Sequence, residues 1–306
     1  VLFGDGAWDN RMLTSDWTSY DPDDFLLCYE SDNSFSETDC YVDDGYFCLM
    51  NDGEGGSLYS DKPDIAVGRF PVRDAAEAKI MVDKVISYRN NENAGNWQSK
   101  VCILADDGTL GDGDQNIHMT GAEKVAKIVE SARPDFIVKR IYWDAYPRVS
   151  TSTGDRYPEV AKVLKQLMNK GALIFNYTGH GSPAAFSHEY VLTTSDFKET
   201  SSTHLPLWVT ASCDIMPFDG QTENIGEQAL LNSGGGALAF YGTTRTVYSS
   251  YNSIMNTAFT TYVLGSTDGV RNSIGEAVRL AKNELINKKT DTSANKLQYT
   301  LLGDPA

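Results

Sequence analysis

Five short strand-like runs recur between residues 101 and 241, at 101–105, 137–142, 172–177, 207–211 and 237–241. Most are continuously apolar instead of alternating, which marks strands covered on both faces. Segments 120–131, 158–170, 225–232 and 273–287 have apolar positions at helical spacing and fall after or between these runs. Strands that alternate with helices fold into a mainly parallel sheet with helices on both sides. The pattern therefore predicts an α/β three-layer sandwich.

The first third of the chain reads differently. Residues 1–60 hold a first short strand and then turns dense in acidic and small residues, such as Asp43-Asp44-Gly45 and Asn51-Asp52-Gly53-Glu54-Gly55-Gly56. A short strand over 64–71 ends at Pro71, and a helix over 75–88 follows with Asp74 as its N-cap. Residues 90–96 look like a linker. These signals predict two tandem subdomains, 1–94 and 95–306, the second carrying the repeated strand–helix units. At 306 residues the chain is long enough for two cores. It begins on Val1 without a basic leader region, and we expect it to be a segment of a longer protein.

Charge narrows the partners. Forty-two acidic against 26 basic residues give a net charge of −16, which repels phosphate backbones, so nucleic acid is not an expected partner. No apolar run approaches the roughly 18–20 residues that span a bilayer. Five cysteines, Cys28, Cys40, Cys48, Cys102 and Cys213, lack the paired spacing of a zinc site. A disulfide is an option among the first three, and Cys102 belongs to the core run 101–104.

In a parallel sheet, functional residues gather just past the carboxyl ends of the strands. His180, in Thr178-Gly179-His180-Gly181-Ser182, follows the run 172–177, and Cys213, in Ser212-Cys213-Asp214, follows the run 207–211. If these strands are neighbours, an imidazole stands beside a thiol, able to take its proton and later to protonate a leaving amine. The glycines flanking His180 are expected to admit a substrate backbone, with the Gly181 and Cys213 amides facing an oxyanion. A core cysteine and a simple turn are the plainer readings of each residue alone. Their placement at corresponding strand ends favours catalysis.

These residues resemble the gingipain-like cysteine peptidases of the caspase-type clan. Residues 176–182 look like the histidine motif of that family and 211–213 like its nucleophile motif. Residues 65–71, the following helix and the closing Leu302-Gly303-Asp304-Pro305-Ala306 extend the likeness over most of the chain. Within the family, residues 35–47 and 68–73 look most like the sortase of the type IX secretion system. That resemblance implies a surface enzyme of Gram-negative bacteria, which removes C-terminal signal domains from secreted polypeptides. It also implies passage of the acyl-enzyme to water or to a lipopolysaccharide amine, and contact with other secretion components.

The family orients its histidine with an acidic residue, here matched by Asp106, with Asp107 as its neighbour. Members that cut after Arg or Lys carry an acid in the substrate pocket, whereas the matching position here is Asn116, which implies smaller or polar residues at the cleavage site. No cofactor is needed for the chemistry. The acidic turns resemble the calcium-bearing loops of the family, and Asp43 and Asp44 are the expected ligands of a structural Ca²⁺. His118, His188 and His204 are expected in loops or at the surface, away from any metal. The alternative to the peptidase is a non-catalytic binding or scaffold module that keeps the protease fold. A nucleotide site at Gly234-Gly235-Gly236 lacks the P-loop lysine.

Overall fold

A computed structural model describes residues 1–33, 36, 38–108 and 115–306. Part of the segment 35–47 lies outside the described residues. Among those described, eight strands form one sheet: β1 (Leu2–Phe3), β2 (Arg69–Phe70), β3 (Lys100–Ala105), β4 (Ile137–Tyr142), β5 (Ile174–Thr178), β6 (Leu207–Ala211), β7 (Ala239–Thr243) and β8 (Tyr299–Leu302). Their order across the sheet is β1-β2-β8-β7-β6-β5-β3-β4. Every neighbouring pair is parallel except β7 with β8.

The helices are α1 (Ala75–Arg89), α2 (Ile117–Ala132), α3 (Pro158–Lys170), α4 (Thr194–Glu199), α5 (Ile225–Leu231), α6 (Ser249–Val263) and α7 (Ile274–Lys288). Successive strand residues point to opposite faces, and this divides the core. Cys102, Leu104, Phe175, Tyr177, Trp208 and Phe240 pack with α1, α3, α4 and α5 on one side. Val101, Ile103, Ile174, Val209 and Tyr241 pack with α2, α6 and α7 on the other. The expected three-layer α/β sandwich with a mainly parallel sheet is what the chain forms.

Local signals place the helix ends. The Asp74 carboxylate accepts from the amides of Ala76 and Glu77, at 2.8 and 2.9 Å, and starts α1. Pro158 opens α3, and Gly171, with φ +79°, turns the chain out of it. The expected division near residue 95 falls between α1 and β3, and strands from both sides of it share one sheet. Residues before it also wrap the later ones. Arg69 in β2 is fully buried and donates to both oxygens of Asp44, to Gly4 O and to Leu27 O, and its guanidinium lies 4.7 Å from the Phe218 ring centroid.

Two expectations concern the acidic turns. The carboxylate of Asp43 accepts from Lys282 Nζ at 2.9 Å and from the Gly45 amide at 2.8 Å, and that of Asp44 is held by Arg69. Basic side chains meet the two groups expected to bind calcium. The five cysteines are free thiols, so no disulfide joins Cys28, Cys40 and Cys48, while Cys102 is buried in the core as expected. Burial pushes the Cys102 thiol up to about 12 and Cys48 to about 11, which leaves both as inert core thiols.

Candidate active site

The chain runs from β3 outward to β4, then returns to the other side of β3 and continues through β5, β6 and β7. The sheet therefore reverses direction between β3 and β5, where open α/β sheets form a crevice at the carboxyl ends of their strands. Three strand ends are level there. Thr178 of β5 pairs with Ala105 of β3 on one side and with Ala211 of β6 on the other. The residues that follow, Asp106, Gly179-His180 and Ser212-Cys213, emerge side by side from one edge.

Each is held by its surroundings. Ser212 O accepts the Thr243 hydroxyl, and the Asp214 amide donates to Arg245 O at 3.0 Å, so the backbone on both sides of Cys213 is fixed to β7 and its continuation. Asp214 has φ +48°, a left-handed turn that asparagine and aspartate tolerate best among non-glycine residues. It swings the chain away directly after Cys213. The Cys213 thiol donates to Val247 O at 3.4 Å.

Asp106 Oδ2 accepts from the His180 amide at 2.9 Å and from the Tyr177 hydroxyl at 3.3 Å, and Oδ1 accepts from the Asp107 amide at 3.0 Å. One of its oxygens and a ring nitrogen of His180 lie within 4.8 Å. Burial pushes the Asp106 carboxyl well above its usual range, with the nearby Glu189 and Asp107 adding to the rise against the His180 amide. Asp107, the neighbouring candidate, is directed elsewhere: its carboxylate takes the Tyr157 hydroxyl at 2.6 Å.

The glycines around His180 serve a purpose other than the expected one. A Cβ on Gly179 would lie 2.3 Å from Tyr177 Oη and 2.5 Å from Asp106 Cβ. One on Gly181 would lie 2.2 Å from Ser212 Oγ and 2.4 Å from Ile215 Cδ1. The protein's own side chains fill the space that was expected to admit a substrate. The glycines bring the His180 turn against the segments that carry Asp106 and Cys213.

A cavity of about 240 Å³ opens over this edge, bordered by His118, His180, Cys213, Val247, Tyr248 and Asn252. Its far wall is the start of α6, a helix absent from the sequence reading. A larger cavity, of about 530 Å³, lies beside Leu173, Leu207 and Leu238, at the opposite ends of the same strands. Neither cysteine nor histidine is among the residues that line it. Asn116 is exposed just before α2 and borders neither cavity, although its neighbour Ile117 borders the first.

Sequence reasoning misplaced one histidine, His118, while His188 lies exposed in a turn as expected. His118 is buried in α2, 5.0 Å from the His180 ring centre, and the exposed His188 ring stacks on His180 at 4.4 Å. A polar residue on the inner face of α2, four before Ala122 and seven before Val125, was the available signal for His118. His204 stacks on Trp97, far along the chain from the others.

The whole chain, residues 1–306, matches the model of peptidase family C25, and the chain belongs to that family. Among solved structures it is similar to the Arg-specific cysteine proteinase gingipain R (RgpB), with 18% identity and a TM-score of 0.67 over 87% of this chain and 59% of that one. The complex of RgpB pro- and mature domains from Porphyromonas gingivalis matches at 17% identity and a TM-score of 0.67, over 86% of this chain and 60% of its own. Dimeric latent PorU from the same organism matches at 26% identity and a TM-score of 0.41, over 99% of this chain and 23% of its own. The chain thus spans about three fifths of the gingipain chains with which it shares a fold. No curated protein sequence matches it. Among the described residues, no helix is long and apolar enough to cross a membrane.

Proposed function

We propose that this chain holds the catalytic centre of a cysteine endopeptidase, with Cys213 as nucleophile, His180 as proton carrier and Asp106 as the group that orients His180. One observation carries the reading: the level ends of β3, β5 and β6 deliver these residues to one edge, with His180 and Cys213 bordering one cavity. His180 takes the thiol proton as Cys213 Sγ bonds to the peptide carbonyl carbon. The oxyanion that forms is met by the Gly181 and Cys213 amides. Collapse of this intermediate expels the amine, which takes its proton from the imidazolium, and leaves a thioester. Water or another amine then attacks the thioester and frees Cys213.

The sequence likeness to the type IX sortase supports a finer reading. Substrates are then secreted polypeptides cut ahead of a C-terminal signal domain at the bacterial surface, and the acceptor is a lipopolysaccharide amine. Incubation of a signal-domain polypeptide with the protein, with and without a small primary amine, tests this by mass spectrometry. Cleavage with an amine adduct on the new C-terminus is expected. Cleavage that yields only the free acid at every amine concentration contradicts transfer, and no cleavage contradicts the peptidase.

Asp106 gives a pH signature. Its raised carboxyl makes the native state the better proton binder, so this group weakens the fold as pH rises from about 4, its unfolded value, through the raised native one. The ionised form that supports an imidazolium appears over the same rise. Asp106→Asn is therefore expected to lower kcat by about 10²–10⁴-fold while leaving thermal stability at neutral pH equal or higher. Parallel loss of both would mean that Asp106 only holds the fold.

A further inference from the structure

The three groups that meet at the His180 ring form a second chemical set, one that needs no thiol. A carboxylate oxygen of Asp106 and ring nitrogens of His118 and His180 all lie within 4.8 Å of one another. An ion at the centre of three atoms so spaced stands about 2.8 Å from each, and shifts of under about 1 Å bring that to the 2.0–2.2 Å of zinc bonds to nitrogen and oxygen. Two imidazoles and one carboxylate select zinc and its transition-metal neighbours and not calcium or magnesium, which take oxygen ligands. Three protein ligands with a fourth position left to solvent is the pattern of an open zinc site.

The surroundings fit a dication. Asp106, Asp107 and Glu189 bring three buried carboxyl groups within 4.8 Å of one another, and a bound cation offsets their mutual repulsion on ionisation. Second contacts already orient the ligating carboxylate: the amides of His180 and Asp107 and the Tyr177 hydroxyl donate to it. His118 is rigid on α2, and its ring stands edge-on to His180, with 76° between their planes.

We infer that Asp106, His118 and His180 bind one transition-metal ion of the zinc class, and that the bound ion silences the peptidase. The second half rests on the proposed function. With one imidazole nitrogen committed to a metal, the other carries the ring proton and no longer takes the Cys213 proton, and a carboxylate in the same coordination sphere no longer supports an imidazolium. Removal of the metal restores both. The metal-loaded chain is then a latent form.

Calorimetric titration with Zn²⁺, free of other metals, reads the site without any need for activity. One ion per chain with micromolar or tighter affinity is expected, retained in Cys213→Ala and weakened at least about tenfold in His118→Ala and in His180→Ala. Circular dichroism checks that each variant is folded, and the half-exposed His180 provides the arm least liable to disturb the core. Co²⁺ in place of Zn²⁺ is expected to show ligand-field bands without a thiolate charge-transfer band. The site is overturned by the absence of binding at millimolar Zn²⁺. It is equally overturned by binding that vanishes in Cys213→Ala and is unchanged in His118→Ala, which is a thiolate complex. Zinc binding to a protein that shows no turnover when metal-free upholds the site and overturns the peptidase reading.

Discussion

Cys213→Ala lowers turnover of any polypeptide substrate by at least about 10³-fold, the scale of loss when a nucleophile is removed from a catalytic unit. The melting temperature stays within experimental scatter. Catalysis and folding separate here because the fold does not lean on this thiol. The segment that carries it is fixed by its backbone, through Ser212 O on Thr243, the Asp214 amide on Arg245 and the Met216 amide on Thr243. It is also fixed by the fully buried Ile215 and Met216. Turnover and melting measured on the same preparation check this. Residual activity near that of the parent would move the nucleophile elsewhere, and a collapsed fold would remove the basis for reading the loss as chemistry.

Arg69→Ala acts in the opposite sense, on stability first. The guanidinium is fully buried, and its partner Asp44 is 1% exposed. Loss of the arginine strands a buried carboxylate and two backbone carbonyls, a change that costs about 3–5 kcal/mol. That is about a fifth or more of the 5–15 kcal/mol or so that usually separates folded from unfolded chains. Replacing both charges, in Arg69→Met with Asp44→Leu, is expected to recover part of the loss, since no charge is then left alone. Urea unfolding of the three proteins measures it. A single-variant cost under about 1 kcal/mol would mean that water reaches Asp44.

The effect extends to the site, because Arg69 covers Phe218, five residues after Cys213, and Arg245 binds Asp219 while its carbonyl takes the Asp214 amide. The acidic, loop-rich opening of the chain is a brace around the far side of the cysteine segment. Several of the residues that carry the sortase likeness, among them Asp43, Asp44 and Arg69, hold the structure together in this way.

How far the sequence reached follows from which forces it displays. Runs such as Val101–Ala105 and Leu207–Ala211 are legible because a strand covered on both faces must be continuously apolar. His180 and Cys213 are legible because they follow two such runs, 172–177 and 207–211, at the same end. The helix α6 is not. Its inner face is Asn252, Met255, Asn256 and Phe259, the right spacing with amides at half the positions. Asn256 exchanges two hydrogen bonds with Asn176 of β5, at 2.7 and 2.8 Å, which turns a polar residue into a core residue. Tyr248 and Asn252 then wall the cavity unseen. The basic partners of the acidic turns were hidden for a related reason. Asp43 and Asp44 pair with Lys282 and Arg69, the first from 239 residues away. Long-range pairing of this kind has no local signature.

The central claim is that His180 activates Cys213, and the alkylation rate of Cys213 against pH, read by peptide mass spectrometry with His180→Ala as control, tests it most directly. The account predicts rapid modification with an apparent pKa well below the roughly 8.5 of a free thiol, lost when His180 is replaced. Slow modification at neutral pH that is indifferent to His180 would contradict it, and would leave the chain a peptidase fold without a peptidase.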